Sequence, residues 1–219
     1  MTLQLWGCAS VTSPVADLVS GVASNGFGTS NESIAAFKLN PLYRYLRVEV
    51  AGHTPALLVL GYVDAHPQGD IEVWYSTSRE VIKTQNGRIV GTAGLAVDWR
   101  SVSFPTPPAW ADLLLQGGVY TRVRDEMPGY HYGISDQLTL KPWVGVPPVD
   151  LPASLPVTQA STYRWFREST LSTSAQPLPP AWFAWGMHLG QPMVVYSEQC
   201  LSATFCLKLQ RWPVQEVAS

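Results

Sequence analysis

Short segments with the residue pattern of β-strands follow one another along most of the chain. In residues 43–50, Leu46 and Val48 lie on one face of an extended segment, and Tyr45 and Arg47 lie on the other. This alternation predicts an antiparallel strand with one face in the core and one face exposed. The chain also contains 18 Pro, 9 Trp and 9 Tyr. Because prolines interrupt helices and aromatic side chains favour strands, we predict an all-β fold.

Further strands are predicted from similar patterns. They cover residues 56–63, 70–76, 80–85, 88–91, 119–125, 130–140, 161–170, 181–186, 193–199 and 204–212. Asn86-Gly87 separates two of them and is the dipeptide most typical of a two-residue hairpin turn. Consecutive hairpins make a meander, and a long meander must protect its edge strands. We therefore expect an antiparallel meander curled into a barrel or half-barrel.

Helical signals are few. Ser13-Pro14 places an N-cap residue before proline at the first helical position, which predicts a short N-terminal helix at residues 13–20. A helical turn is expected at residues 109–116. With 219 residues, the chain suits a single core. We divide it into a short leading segment (1–8), an N-terminal helix and loop (9–40), one β domain (41–213) and a flexible tail (214–219).

The bulk properties argue against two classes of protein. The formal net charge is −2 and the pI is about 6.1, and Lys and Arg form no run, so a nucleic acid partner is not expected. The sequence has no run of about 18 apolar residues, so we also expect no membrane-spanning helix.

The string Leu5-Trp6-Gly7-Cys8 has the pattern of a lipobox. In this motif, the small residue before the cysteine admits the processing peptidase, and the thiol carries diacylglycerol. A processed lipoprotein holds the membrane through several acyl chains, so an anchor on Cys8 would be stable. The alternative is a buried cysteine in a short terminal strand. Residues 1–7 lack a complete cationic and apolar signal, so we expect a longer precursor.

Cys200 and Cys206 lie close together near the end of the sequence. Their spacing does not suit zinc, and none of the histidines lies nearby in sequence. It does suit a disulfide that closes a short turn between antiparallel strands. The alternative is a pair of reduced thiols in the core of a cytosolic protein. A lipid-bearing cysteine and an oxidised pair would both place the protein in the periplasm.

The common enzyme signatures are absent, and we assign no catalytic residue, metal site or cofactor. Asp64 and His66 precede a Pro-Gln-Gly sequence and are interpreted as part of a turn. Asp125 and Glu126 are adjacent in a predicted strand, so their carboxylates should point to opposite faces.

Aromatic residues in the last third of the chain suggest a further binding function. Indole faces bind the C–H groups of sugars, and arginine binds acidic or hydroxylated saccharides. The candidate glycan-binding residues are Tyr163, Arg164, Trp165, Arg167, Trp182 and Trp185. The alternative is that these tryptophans fill the core of a large barrel.

Several strings also resemble one family in their order and spacing. They are Tyr45-Leu46-Arg47, Leu60-Gly61-Tyr62, Glu72-Val73-Trp74-Tyr75-Ser76, Asn86-Gly87-Arg88, Gly91-Thr92-Ala93-Gly94-Leu95, Asp98-Trp99-Arg100 and Glu198-Gln199-Cys200-Leu201. Over residues 46–212, the chain resembles the YjbF family, the group 4 capsule polysaccharide lipoproteins of the GfcB/YjbF type.

The resemblance implies an all-β meander and an exported lipoprotein, with Cys8 at the position of lipid attachment. It implies a non-enzymatic accessory of capsule or exopolysaccharide assembly or secretion, on the periplasmic face of the outer membrane. The implied partners are outer-membrane β-barrel and periplasmic secretion proteins. Two alternatives remain: a module that binds the polysaccharide itself through exposed Trp and Tyr, and a polysaccharide-modifying enzyme, which needs two carboxylates about 5–10 Å apart in a cleft.

Overall fold

The computed structural model describes residues 34, 38–145, 150–174 and 176–214. Its strands are β1 (Tyr45–Val50), β2 (Ala56–Asp64), β3 (Ile71–Tyr75), β4 (Val81–Gln85), β5 (Arg88–Ala93), β6 (Asp98–Ser103), β7 (Gly118–Met127), β8 (His131–Trp143), β9 (Arg164–Ser172), β10 (Ala181–His188), β11 (Gln191–Cys200) and β12 (Cys206–Trp212). Helix α1 (Trp110–Gln116) precedes β7, and helix α2 (Val157–Ala160) precedes β9. The helix predicted at residues 13–20 lies outside the described residues. Within the described part of the chain, no helix has the length and apolar character needed to cross a bilayer.

One antiparallel sheet contains all 12 strands, in the order β5-β4-β3-β2-β1-β12-β11-β10-β9-β8-β7-β6. Each neighbouring pair is consecutive in the chain except β1 and β12, whose register joins Tyr45 to Trp212 and Val50 to Leu207. The edge strands β5 and β6 follow one another in sequence and lie side by side, so the sheet is nearly closed into a barrel. The predicted all-β meander curled into a barrel is therefore confirmed.

Side chains rather than a strand ladder join β5 to β6. The Trp99 N–H donates to Thr92 Oγ1 (2.9 Å), and this hydroxyl donates to Asp98 (2.9 Å). Asp98 also accepts two N–H groups of the connecting loop. From the opposite wall, the side-chain oxygen of Gln199 accepts the N–H of Ile89 in β5 (3.0 Å). These bonds satisfy backbone groups that an edge strand would otherwise leave unpaired.

The sequence patterns do not predict strand β6. Of its residues, Trp99 is buried, whereas Arg100, Ser101 and Ser103 are exposed. A bulge between Trp99 and Ser101 also breaks the two-residue period. An edge strand of this kind has no apolar alternation for a pattern search to find.

The barrel has two ends that differ in structure. We call proximal the end at which the chain enters β1 and leaves β12, together with the Asn86-Gly87 turn and α1. We call distal the opposite end, which carries the turns at residues 51–55, 128–130 and 201–205.

Trp110 of α1 closes the proximal end. Its indole N–H donates to the carbonyl oxygen of Asn86 (2.8 Å). Its ring packs against those of Phe166 and Phe183, with centroids 5.2 and 5.4 Å away. The helix and the β4–β5 turn thus form an apolar stopper inside this end of the barrel.

Residues 150–163, which include α2, cover part of the outer face. Leu155 and Ala160 pack there on a buried cluster that includes Trp165 and Tyr196. The Trp165 indole N–H donates to the carbonyl oxygen of Ala160 (2.7 Å). Because of this second layer, the sheet makes apolar contacts on its outer face as well as on its inner face.

The prediction that Tyr45 and Arg47 lie on an exposed face is wrong, since they are 5% and 2% exposed. The hydroxyl of Tyr45 accepts the N–H of Asn40 (3.0 Å). Gln210, which pairs with Arg47, accepts a hydrogen bond from Ser154 of the covering segment (2.6 Å). The outer face of β1 is therefore covered by chain that the strand pattern alone does not reveal.

A disulfide joins Cys200 to Cys206 across the β11–β12 turn, as the sequence analysis predicts. It closes a loop with a sequence separation of 6 residues. A loop this short restricts the unfolded chain only modestly, so reduction should lower the free energy of unfolding by about 2 kcal/mol. Urea unfolding with and without dithiothreitol measures the loss. Identical midpoints would contradict it.

Candidate functional site

The structure places the candidate glycan-binding residues on both faces of the barrel wall. Trp165 faces outward but is only 4% exposed, beneath α2 and the loop before it. Trp185 packs on the Trp110 ring at the inner stopper, with centroids 5.7 Å apart. Tyr163 belongs to the covering segment, and its hydroxyl accepts a hydrogen bond from Gln159 (3.0 Å). These residues do not form one platform, and Trp165 fills a core.

Trp182 and Arg167 remain together on the outer face, beside Trp143 of β8. The Trp143 and Trp182 rings meet edge to face, with centroids 5.0 Å apart. The guanidinium of Arg167 lies 5.9 Å from the centre of the Trp182 ring. Trp143 is 42% exposed, and Arg164 is exposed at the start of β9. We call Trp143, Arg167 and Trp182 the outer patch.

The remaining polar positions singled out in the sequence lie apart from the outer patch. Cys8 lies outside the described residues. His66 sits in the β2–β3 turn, where its Nδ1 lies 2.8 Å from the side-chain nitrogen of Gln85. Asp125 accepts the N–H of Gly133 (2.8 Å) on the exposed side of β7, whereas Glu126 contacts Arg124. Asp125 and Glu126 thus have separate surroundings.

A first buried ionic cluster, Arg88, Tyr120 and Glu168, lies inside the barrel. Arg88 donates from Nε to the hydroxyl of Tyr120 (2.9 Å), and this hydroxyl donates to Glu168. Arg88 Nε lies 4.0 Å from Glu168, and both side chains are almost fully buried. The guanidinium also stacks 4.4 Å from the centre of the Trp110 ring. Burial and the Glu168 carboxylate raise the pKa of Tyr120 above its ordinary value.

A second buried ionic cluster lies nearer the distal end. Asp136, with 0% exposure, accepts from Arg122 Nε (2.8 Å) and Arg124 Nε (2.9 Å). Burial opposes ionisation of Asp136, but the charge of Arg122, a hydrogen bond from Ser172 and the charge of Arg124 together outweigh it and hold the pKa of Asp136 below the ordinary value. Arg124 also pairs with Glu126. Both guanidiniums lie over the Trp99 ring, 4.4 and 5.0 Å from its centre.

Arg124 of the second ionic cluster and its partner Glu126 lie in one wall of an open cleft of about 670 Å³ at the distal end, which we call the distal cleft. Its walls come from β7, from the start of β8, from the β9–β10 connection and from the disulfide-closed turn. The lining residues include Arg124, Glu126, Tyr132, Thr173, Gln176 and Ser202. The sequence patterns do not reveal this site, because its walls are far apart in the chain. The one available signal is the polar alternation of Tyr120, Arg122, Arg124 and Glu126 along β7.

His188 is a buried titratable group at the proximal end, with 8% exposure. Its charged neighbours are Arg211, Glu72 and Arg44. Glu72 is held by both terminal nitrogens of Arg211, at 3.0 and 2.5 Å. Burial and the positive charge of Arg211 lower the pKa of His188 below its ordinary value.

The lowered pKa of His188 predicts destabilisation by mild acid. Below about pH 6.5 the unfolded chain binds a proton at this histidine that the folded chain resists, so stability falls as the pH decreases. The His188→Gln variant has no titrating side chain at this position and therefore lacks this pH dependence of stability. We therefore expect the free energy of unfolding of the wild type, relative to His188→Gln, to decrease between pH 7.5 and 5.5 in urea titrations. A difference that stays constant over this range would contradict the assignment.

Comparison with known families matches residues 27–142 to the model described as "Group 4 capsule polysaccharide lipoprotein gfcB, YjbF". The match covers more than half of the 219 residues. A nearly closed antiparallel barrel that carries buried ion pairs is thus the architecture of a capsule lipoprotein. The chain belongs to the YjbF family of group 4 capsule polysaccharide lipoproteins.

Among solved structures, the chain is similar to the crystal structure of the hypothetical lipoprotein YmcC from Escherichia coli (K12). The identity is 18%, and the alignment covers 95% of this chain and 100% of that one with a TM-score of 0.67. At this identity the likeness concerns the fold. The search of curated proteins gave no match.

Proposed function

We propose that the protein is anchored by lipid on Cys8 to the periplasmic face of the outer membrane. There it acts as a non-enzymatic accessory of capsule or exopolysaccharide assembly or secretion, together with outer-membrane β-barrel and periplasmic proteins. Membership of a family of capsule polysaccharide lipoproteins is the observation that carries this proposal.

Two features of the chain support export and anchoring. Leu5, Gly7 and Cys8 have the lipobox pattern described above. The Cys200–Cys206 disulfide fits an oxidising compartment, because disulfides persist in the periplasm and are rare in the cytosol.

The environment of the buried carboxylates supports an accessory role rather than catalysis. Glu168 accepts the hydroxyl of Tyr120 and faces Arg88, and Asp136 is held between two arginines. Carboxylates neutralised in this way serve as fixed counter-ions and are poorly suited to exchange protons with a substrate.

Lipid attachment is tested with a precursor in which a lipoprotein signal segment precedes Cys8, produced in a Gram-negative host. Growth with an alkyne-tagged palmitate should label the wild type and a Cys206→Ala control, whereas Cys8→Ala should lose the label. The labelled protein should sediment with outer-membrane vesicles in a sucrose gradient. Label on Cys8→Ala, or recovery in inner-membrane fractions, would contradict the proposal.

The partner is tested by purification from native membranes through a C-terminal tag. We expect an outer-membrane β-barrel protein to co-purify with the wild type after mild detergent extraction. A matched preparation of Cys8→Ala should recover much less of it, because the tether no longer holds the protein at the membrane. Recovery of the tagged wild type alone would count against the accessory role.

A further inference from the structure

We propose that the distal cleft binds an uncharged, hydroxyl-rich stretch of polysaccharide. The class of ligand rests on the proposed function in capsule export. The location and the preference for an uncharged segment come from the geometry and charge of the cleft.

The shape of the barrel singles out the distal end. The proximal end is filled by Trp110 and the Asn86-Gly87 turn. The distal end instead contains a cleft of about 670 Å³. Ligand pockets in proteins commonly enclose about 300–1,000 Å³. The cleft therefore has room for several sugar rings of a longer chain that enters and leaves it.

The chemistry of the walls suits sugar hydroxyl groups. Glu126, which is paired with the buried Arg124 behind it, offers carboxylate acceptors at the wall of the cleft. Thr173, Gln176 and Ser202 add neutral groups that can donate or accept. A sugar hydroxyl can donate to one group and accept from its neighbour, and bonds to charged groups are the stronger ones.

The floor of the cleft is held rigidly before any ligand arrives. Arg124 is 1% exposed and is fixed between Asp136 and the Trp99 ring. Burying such ions adds little net stability, and apolar residues of similar volume often stabilise a fold more. A buried ionic floor that borders an open cleft therefore suggests a role in recognition, for which fixed dipoles are an advantage.

An aromatic ring completes the cleft. Tyr132 is 66% exposed and lines the cleft near the tip of the β7–β8 hairpin. A tyrosine placed in this way can stack on the C–H face of a sugar while its hydroxyl stays in solvent.

The charge balance decides the class of sugar. In the wall of the cleft Arg124 supplies a positive charge and Glu126 a negative one, and behind them Arg122 and Asp136 form a second balanced pair. These charges cancel, so an acidic sugar would find no net positive field in the cleft. An uncharged segment does not need a positive field and can bind through hydrogen bonds and ring contacts alone.

The test uses the full chain and the surface polysaccharide purified from the producing strain. Mild acid cuts the polymer, and anion exchange separates neutral from acidic oligosaccharides. In ¹⁵N NMR titrations, millimolar neutral fragments should shift the amide signals of Gly133 and Ser202, at the cleft, and leave the indole N–H of Trp182 in place. No shift, a response confined to Trp182, or binding of the acidic fraction alone would overturn the proposal.

Two tyrosines of the same hairpin provide a matched pair of variants. Tyr132 lines the distal cleft, whereas Tyr130, which is 71% exposed, does not. Tyr132→Ala should weaken binding of the neutral fragments about five- to tenfold, and Tyr130→Ala should leave it unchanged. Equal losses in both variants would overturn the location.

Failure here is distinguishable from failure of the proposed function. The Tyr132→Ala variant should still be lipidated on Cys8 and still co-purify with the outer-membrane partner, because neither property involves the cleft. Loss of fragment binding with retention of the partner is the expected pattern. Retention of full fragment affinity by Tyr132→Ala would contradict the inference while leaving the accessory role intact.

Discussion

Replacing Glu168 by Gln is expected to lower the free energy of unfolding by about 3–5 kcal/mol. The substitution keeps the shape of the side chain but removes the negative charge that faces Arg88. The guanidinium then lies buried among Trp110, Tyr120 and Phe183 with no counter-ion in this cluster. Urea unfolding followed by Trp fluorescence measures the loss.

The double variant Arg88→Met with Glu168→Leu separates an unpaired charge from lost packing. Apolar side chains of similar volume can replace a buried ion pair at little cost, so the double variant should be more stable than Glu168→Gln. It should remain less stable than the wild type, because the buried Tyr120 hydroxyl loses both of its partners. Arg164→Gln, at an exposed arginine, serves as the control and should change stability by less than about 0.5 kcal/mol. A small effect of Glu168→Gln, or a double variant that is no more stable, would show that the charge is not buried as described.

Gly87→Ala is expected to cost about 2–4 kcal/mol, from backbone strain and overpacking together. Gly87 has a φ of +79°, and a Cβ placed there would lie 2.4 Å from the Cβ of Val194. The β4–β5 turn reaches across the barrel at this point, and Gln199 donates to the carbonyl oxygen of Gly87 (2.9 Å). The turn cannot move away without losing this bond.

Gly52→Ala is the matched control for Gly87→Ala. Gly52 has a similar φ of +77°, but nothing lies within 4 Å of a Cβ placed there. It should therefore show only the backbone strain, about 1–2 kcal/mol. Adding Val194→Ala to Gly87→Ala should relieve part of the clash, so the two changes should be non-additive. Equal losses at Gly87 and Gly52 would contradict the close approach to β11.

Much of the fold follows from the sequence because strands leave a local signal. The patterns predict every strand except β6, and the Asn86-Gly87 dipeptide marks the hairpin that enters the barrel. The orientation of β7 is harder to predict. Val119 is 63% exposed while Arg122 and Arg124 are 5% and 1% exposed, the reverse of the usual rule. Arg122 and Arg124 point inward because they contact Trp99 of β6 and Asp136 of β8.

The candidate sites were less predictable for a related reason. Trp165 and Trp182 are both tryptophans on outward-facing positions, yet the first is covered by α2 and the second belongs to the outer patch. Local sequence does not show which part of a sheet a distant segment will cover. The distal cleft likewise combines residues as far apart as Arg124 and Ser202. The disulfide pair, six residues apart, is recognisable from its own spacing in the sequence.

The pairing of β1 with β12 has a consequence for the order in which the sheet is assembled. The register joins Tyr45 to Trp212, so the first and last strands of the sheet are neighbours. Under the export proposed above, a chain that emerges N-terminus first presents β1 to β5 as one group of hairpins, and β6 to β11 as another. Backbone hydrogen bonds join these two groups of strands into one sheet only when β12 pairs with β1 and β11. Pairing of β12 with both β1 and β11 is therefore the step that joins the two groups of strands into one sheet.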